Sequence, residues 1–112
     1  MDRTEVAQWV AGYERLWRTT GTELLAGLFT PDASYLPSPW AQPLKSLEAI
    51  AAFWEAERDG ANEEFTMSSE VVAVEGRTAV VRVLVKYGES GIRPWRDLWV
   101  LRLAADGRCS SF

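Results

Sequence analysis

Two carboxylates, Asp97 and Glu70, and one phenol, Tyr13, are the residues of this 112-residue chain whose chemistry and spacing suggest proton transfer. A carboxylate set against apolar walls is disfavoured in its charged form, so its pKa rises and it becomes a general base usable near neutrality. Asp97 is the first candidate for that base, with Tyr13 as the accompanying donor. The alternative makes Asp97 an ion-pair partner of Arg93, Arg96 or a helix residue, and leaves Glu70 on a wet part of the sheet. Asp32 follows a proline in TPDA and reads as a turn former that binds backbone N–H groups. Other chemistries are excluded by composition. There is no histidine and a single cysteine, Cys109, so a His-based triad, a Cys/His metal site and an internal disulfide are all out of reach. Cys109 reads as an inert strand thiol. No cofactor or metal is called for.

The chain carries six tryptophans, unusually many for its length. Trp9, Tyr13, Trp17, Trp54, Tyr87 and Trp99 fall on elements expected to converge, and with Glu70 and Asp97 they make the expected ligand-binding set. Core packing accounts for any one of these rings. Together, however, they leave two tyrosine hydroxyls and several indole N–H groups needing partners, and aromatic walls with a few polar tips suit a small, largely apolar, cyclic molecule. Trp40, amid Pro37, Pro39 and Pro43, reads as a flap over a pocket mouth or as a loop anchor.

Residues 64–112 read as consecutive strands joined by glycine-containing turns. Phe65–Glu75 and Thr78–Tyr87 are rich in β-branched residues and flank Gly76-Arg77, a hairpin signal. GESGIRP leads into a third strand over 95–103, and AADGR turns into a fourth at 109–112. A tight turn at Gly76 puts even residues of one strand beside odd residues of the next. The expected inner face therefore carries Thr66, Ser68, Glu70, Val72 and Val74 with Ala79, Val81, Val83, Val85 and Tyr87, and also Trp95, Asp97, Trp99, Leu101 and Leu103. The expected outer face keeps Phe65, Met67, Val71, Leu84, Leu98 and Val100 beside Arg82 and Lys86. That is too apolar a face to stay fully wet, so a homodimer through the outer sheet face is expected.

The first half of the chain is helical. Asp2 and Glu5 have capping-box spacing, and Val6, Trp9, Val10, Tyr13, Leu16 and Trp17 recur at helical intervals over 2–19, with Glu14 and Arg18 paired on the wet side. Thr22 starts a second, short helix with Leu24, Leu25, Leu28 and Phe29 on its buried side. Residues 30–33 read as a turn and 34–36 as a short strand. Ser46 caps a third helix over 46–59, stopped by Gly60, with Leu47, Ile50, Phe53 and Trp54 as its apolar stripe.

The length fits one domain, 1–112. A net charge of −4 argues against nucleic acid or an anionic membrane as the main partner. No signal peptide or membrane-spanning run is visible, which makes a cytoplasmic protein the default expectation.

The order helix, short helix, short strand, helix, long meander resembles the nuclear transport factor 2-like (NTF2-like) superfamily and, within it, the SnoaL-like proteins. GLFTPDASY (27–35), PLKSLEAIAAFWE (43–55) and YGESGIRPWRDLWVLRLAADGRC (87–109) carry the resemblance. It implies an α+β fold, a cystatin/NTF2-like cone in which a curved antiparallel sheet wraps three N-terminal helices around an open, mostly apolar cup, commonly in a homodimer. It also implies a last strand running several residues past the position of Phe112. Ketosteroid isomerases of this superfamily use a tyrosine and two acids. Laid on this chain, those positions fall near Trp9 or Tyr13, on Pro37 or Ser38, and on Trp99, so both acids are replaced. The histidine of the polyketide cyclases and the Asp-Arg-Asp pattern of the epoxide hydrolases do not occur either. The expected function is therefore binding of a small, largely apolar, cyclic molecule in an aromatic-lined cup. The alternatives are an isomerase, dehydratase or cyclase using Asp97 as general base with Tyr13, and a non-catalytic homodimeric assembly module.

Overall fold

The computed structural model describes residues 1–57, 65–87 and 94–112. In chain order its elements are α1 (Arg3–Trp17), a 3₁₀ turn (Glu23–Gly27), β1 (Phe29–Ser34), α2 (Leu47–Glu57), β2 (Phe65–Glu75), β3 (Thr78–Tyr87), β4 (Pro94–Leu103) and β5 (Cys109–Ser111). The strands form one open, curved sheet in the order β1-β5-β4-β3-β2, and the helices cover its inner face. This is the α+β cone, with the second of the three expected helices reduced to a 3₁₀ turn. The expected end of α2 at Asp59 and Gly60, the GESGIRP turn and Arg93 lie outside the described residues.

Local chemistry explains where the helices start. The Asp2 carboxylate accepts from the Glu5 N–H at 2.9 Å, and the Ser46 hydroxyl accepts from the Ala49 N–H at 3.1 Å, each satisfying a donor that the first helical turn leaves unpaired. After α1 the chain turns at Gly21, whose φ of 83° favours glycine. The apolar stripes point inward as their spacing predicts: Val6, Trp9 and Val10 of α1 and Ile50 and Trp54 of α2 are buried.

On the sheet, β3 and β4 follow simple alternation. Ala79, Val81, Val83 and Val85 are buried with Trp99, Leu101 and Leu103, while Arg82, Lys86, Arg96 and Arg102 are exposed. The hairpin closes with Glu75 opposite Thr78, and Gly76 at φ 59° takes the first central position of the turn.

β2 departs from the expected face. Val74 pairs with Ala79 and Ala73 with Val80, but the register then shifts, and Val71 pairs with Val81, Met67 with Val85 and Phe65 with Tyr87. One extra residue, Val72, sits in a β-bulge, and because side chains alternate with period two it exchanges the faces of everything before it. Phe65, Met67 and Val71 therefore lie on the inner side, against the expectation that they belong to the outer face and make it apolar. Thr66, Ser68 and Glu70 lie outside.

α1 is tied to this strand at both ends. The Arg3 guanidinium donates to the carbonyl oxygens of Val71 and Val72, at the bulge. At the other end the Arg18 guanidinium donates to the Phe65 carbonyl at 2.9 Å, lies 3.8 Å from the centre of the Phe65 ring and pairs with Glu14 at 3.2 Å. The expected Glu14–Arg18 pair thus also anchors the helix to the sheet.

β1 also differs from expectation. Residues 30–33 read locally as a turn, yet they lie in a strand that pairs in parallel with β5, Phe29 opposite Cys109 and Ser34 opposite Ser111, with an irregularity between. Long-range pairing overrides the turn preference, and Pro31 is tolerated because β1 is an edge strand. Asp32 is exposed there. The expected short strand at 34–36 survives as a bridge between Tyr35 and Leu44, whose N–H groups and carbonyls exchange hydrogen bonds at 2.8 Å.

Candidate functional site

The inner end of the cone is built by side chains from α1, α2, β1, β4 and the segment after β5. Trp9, Tyr13 and Trp17 stand on one face of α1 at the i, i+4, i+8 positions that such a face requires. Tyr13 lies at their centre, its ring 4.5 Å from that of Trp99, 4.9 Å from that of Trp54 and 6.1 Å from the parallel ring of Trp17. Trp17 in turn meets Trp54 edge-on at 4.9 Å, and Trp9 meets Trp99 edge-on at 6.4 Å. Of the six expected aromatic residues, five therefore form one contiguous cluster. Tyr87, at the end of β3, is half-buried with its ring 6.1 Å from that of Phe65.

Four aromatic residues outside the expected set complete the walls: Phe29, Tyr35, Phe53 and Phe112. Tyr35 brings the polar end of the site with it, because its hydroxyl lies 3.3 Å from that of Tyr13. Burial is the main reason the Tyr13 hydroxyl is held well above its ordinary pKa, and the neighbouring Tyr35 and the charge of Asp97 push it the same way. Burial also raises Tyr35, while the hydrogen bond with Tyr13 and the approach of the Trp54 indole hold it down in part and Asp97 raises it again. Either hydroxyl can donate to the other, and the one that accepts keeps its own proton to donate elsewhere. The Trp54 Nε1, in a side chain that is 1% exposed, faces the Tyr35 oxygen without completing a hydrogen bond, and it has no other partner among the described residues.

Asp97 stands opposite Val83 in the β3–β4 ladder, on the side of β4 that carries Trp99. It is exposed, so its carboxylate remains in water while its charge reaches both tyrosines. Glu70, the other expected carboxylate, belongs to the outer face. It lies opposite Arg82, with a carboxylate oxygen 3.5 Å from the guanidinium, and its side chain is 68% exposed. The bulge at Val72 removes it from the site. Trp40 is 95% exposed, which does not suit a loop anchor. Cys109 is buried, donates to the Ser111 carbonyl at 3.0 Å and has its thiol pushed up to about 12 by burial, as an inert strand thiol should.

The interior slot beside the two tyrosines is filled by the ring of Phe112. That ring stacks on Tyr35 at 4.8 Å and on Tyr13 at 5.6 Å, and stands 5.0 Å from Trp99 and 5.8 Å from Trp9. Backbone bonds hold it there, the Phe112 N–H donating to Ser34 at 2.8 Å and its carbonyl accepting from Leu36. Open cavities lie elsewhere among the described residues. One of about 70 Å³ sits between the end of α1 and the 3₁₀ turn, with Trp54 in its wall; the other, of about 540 Å³, is a groove along the opposite flank of α1 bordered by Gln8, Arg15, Leu24, Leu28 and Gly107.

The chain matches the SnoaL-like domain over residues 8–112, nearly its whole length. It belongs to the SnoaL-like family. Solved structures agree at the level of the fold. The SnoaL-like chain superimposes on SalBIII, an epoxide hydrolase/cyclase-like enzyme of pyran ring formation in polyether salinomycin, with a TM-score of 0.75 and 16% identity over 98% of this chain and 88% of that one. It is similar to a candidate polyketide cyclase from Sinorhizobium meliloti, with a TM-score of 0.69 and 21% identity over 93% and 90% of the two chains. It is also similar to a steroid delta-isomerase from Pseudomonas aeruginosa, with a TM-score of 0.63 and 23% identity over 96% and 76%. No match was found among curated protein sequences. Among the described residues, no helix of this SnoaL-like protein is long and apolar enough to cross a membrane, and no three or more metal-binding side chains gather in one place.

Proposed function

We propose that this SnoaL-like protein binds a small, largely apolar, cyclic molecule in its aromatic interior. The observation that carries this reading is the Trp54 N–H, a buried donor with no hydrogen bond, beside a tyrosine pair that has one proton left to donate. Leaving such a donor unpaired costs about 1–3 kcal/mol, and a ligand oxygen placed between Trp54 and Tyr35 recovers it. Two donors converging in an aromatic wall call for a neutral acceptor such as a carbonyl or an ether oxygen, and the charge of Asp97, which reaches both tyrosines, works against an anion.

Two other readings each rest on an observation. Asp97 acts electrostatically on both tyrosines, which favours an isomerase, dehydratase or cyclase with Asp97 as base and Tyr13 as donor. The ring of Phe112 inside the cone favours a non-catalytic assembly module. Tryptophan fluorescence titrations with neutral ketones and phenols of one to three rings separate all three. Trp99→Ala should weaken binding by about 2 kcal/mol, from lost apolar contact and stacking. Asp97→Asn should leave affinity within a factor of about two. Loss of affinity in Asp97→Asn with none in Trp99→Ala overturns the aromatic site; turnover abolished by Asp97→Asn establishes the enzyme; and no binding by a folded protein leaves the assembly module.

We further propose a homodimer through the outer sheet face. Leu98 and Val100, 64% and 57% exposed, adjoin half-buried Val80 and Leu84 there, although Phe65, Met67 and Val71 no longer contribute. Glu70 and Arg82 lie in the same row as Leu98, so each copy presents both signs of charge, which suits the self-complementary surface of a two-fold pairing.

A further inference from the structure

We infer that the ligand of this site carries a flat, six-membered aryl ring, and that this ring enters by displacing the side chain of Phe112. The inference rests on the binding reading above and adds which shape binds and what must move. Phe112 marks the slot from within. Its ring lies nearly parallel to both tyrosines, at 13° to Tyr13 and 16° to Tyr35, and edge-on to Phe29 at 86°. Walls set parallel to a ring on one side and perpendicular to it on another accept a planar group and exclude a puckered one, since axial hydrogens would meet the parallel faces. The parallel walls carry the polar tips, the Tyr13–Tyr35 hydroxyl pair, and the unpaired Trp54 N–H faces the Tyr35 oxygen behind them. Phenylalanine has no atom to offer them, so it fills the slot's shape and leaves its donors unanswered. A phenol or an aryl ketone of the same outline supplies both.

The mobile part is small. Phe112 follows β5, a strand of three residues, and is half-buried, in contrast to the fully enclosed Phe29 on the opposite wall. Rotating its side chain out of the slot gives up the ring contact with Trp99 but leaves the backbone pairing of β2, β3 and β4 in place.

Phenol and cyclohexanol, matched in size and polar group but flat and puckered respectively, test this by tryptophan fluorescence, since Trp9 and Trp99 both touch the slot. Phe112→Ala should bind phenol at least tenfold more tightly than the unmodified protein and at least tenfold more tightly than it binds cyclohexanol. In the unmodified protein, the Phe112 ring protons, shifted upfield by the stacked tyrosines, should move toward free-phenylalanine positions in proton NMR as phenol saturates. That measurement stands even if Phe112→Ala fails to fold. Equal phenol affinity in both proteins with unmoved Phe112 resonances overturns the displacement while leaving the binding site intact. Equal affinity of Phe112→Ala for the two probes overturns the flat slot in the same way. If the unmodified protein and a folded Phe112→Ala variant both fail to bind any ring compound, the binding reading itself falls.

Discussion

The hydroxyls of Tyr13 and Tyr35 lie 3.3 Å apart although one stands on the first helix and the other beyond an edge strand. Each hydroxyl has its partner because the first helix and the segment after β1 meet at this point. Tyr35→Phe removes one member, leaves the Tyr13 hydroxyl without this partner and takes away the oxygen that the Trp54 indole faces. It should destabilise the protein by about 1–2 kcal/mol. Urea denaturation of the variant decides it, and an unchanged midpoint would show that the pair contributes nothing of its own.

Alkaline pH should unfold the protein through the same two groups. Their folded-state pKa values are raised, so the folded chain holds these protons more tightly than the unfolded chain. The stabilisation is fully present below the ordinary tyrosine value of 10.0 and is lost as pH rises through the folded-state values. Cys109 acts with the same sign between 9.0 and about 12. Melting temperatures should therefore hold steady up to about pH 9 and then fall, and absorbance at 295 nm should show Tyr13 and Tyr35 ionising only with unfolding.

Glu70 and Val72, two residues apart in β2, should respond very differently to change. Glu70→Gln removes an exposed ion pair and should alter stability by no more than about 0.5 kcal/mol. Deleting Val72 abolishes the bulge, turns Phe65, Met67 and Val71 to solvent and drives Ser68 and Glu70 inward, so the chain should not fold cooperatively. Circular dichroism melts of the two variants give the comparison, and a cooperative melt of the deletion variant would show that the bulge is dispensable.

Leu98→Asp should convert a dimer to a monomer without changing the circular dichroism spectrum, because it places a charge in the exposed apolar row of the outer face. Sedimentation at tens of micromolar reads this directly. An unmodified protein that is already monomeric at that concentration removes the proposed interface.

Much of this architecture is legible in the residues themselves, and the failures have identifiable causes. The starts of α1 and α2, the Gly76 hairpin and the inner faces of β3 and β4 follow from capping residues, turn chemistry and alternation. In β2 the segment EVVAVE places β-branched residues in both phases, at 71, 72 and 74, so alternation cannot locate the bulge, and Glu70 was assigned inward as a result. β1 eluded local reading because TPDA is a turn by propensity and a strand only through β5, some 80 residues away. Tyr35 was missed as a site residue for the same reason. Trp9, Tyr13, Trp17, Trp54 and Trp99 were found because helical spacing and strand parity are enough to place them. Phe112 carried no periodic signal.

The two arginine ties between α1 and β2 make the helix and the strand a matched pair of rulers. Arg3 and Arg18 are separated by about 22 Å of helix rise, and the carbonyls they reach, at Val71, Val72 and Phe65, span about 20–23 Å of strand. The two units of length are incommensurate. An extra helical turn adds about 5.4 Å, between one and two strand residues, and a single added strand residue reverses the strand's faces. Neither element can therefore grow or shrink alone while both ties hold, and length variation in proteins built this way should collect outside the bracket, after Arg18 or before Phe65.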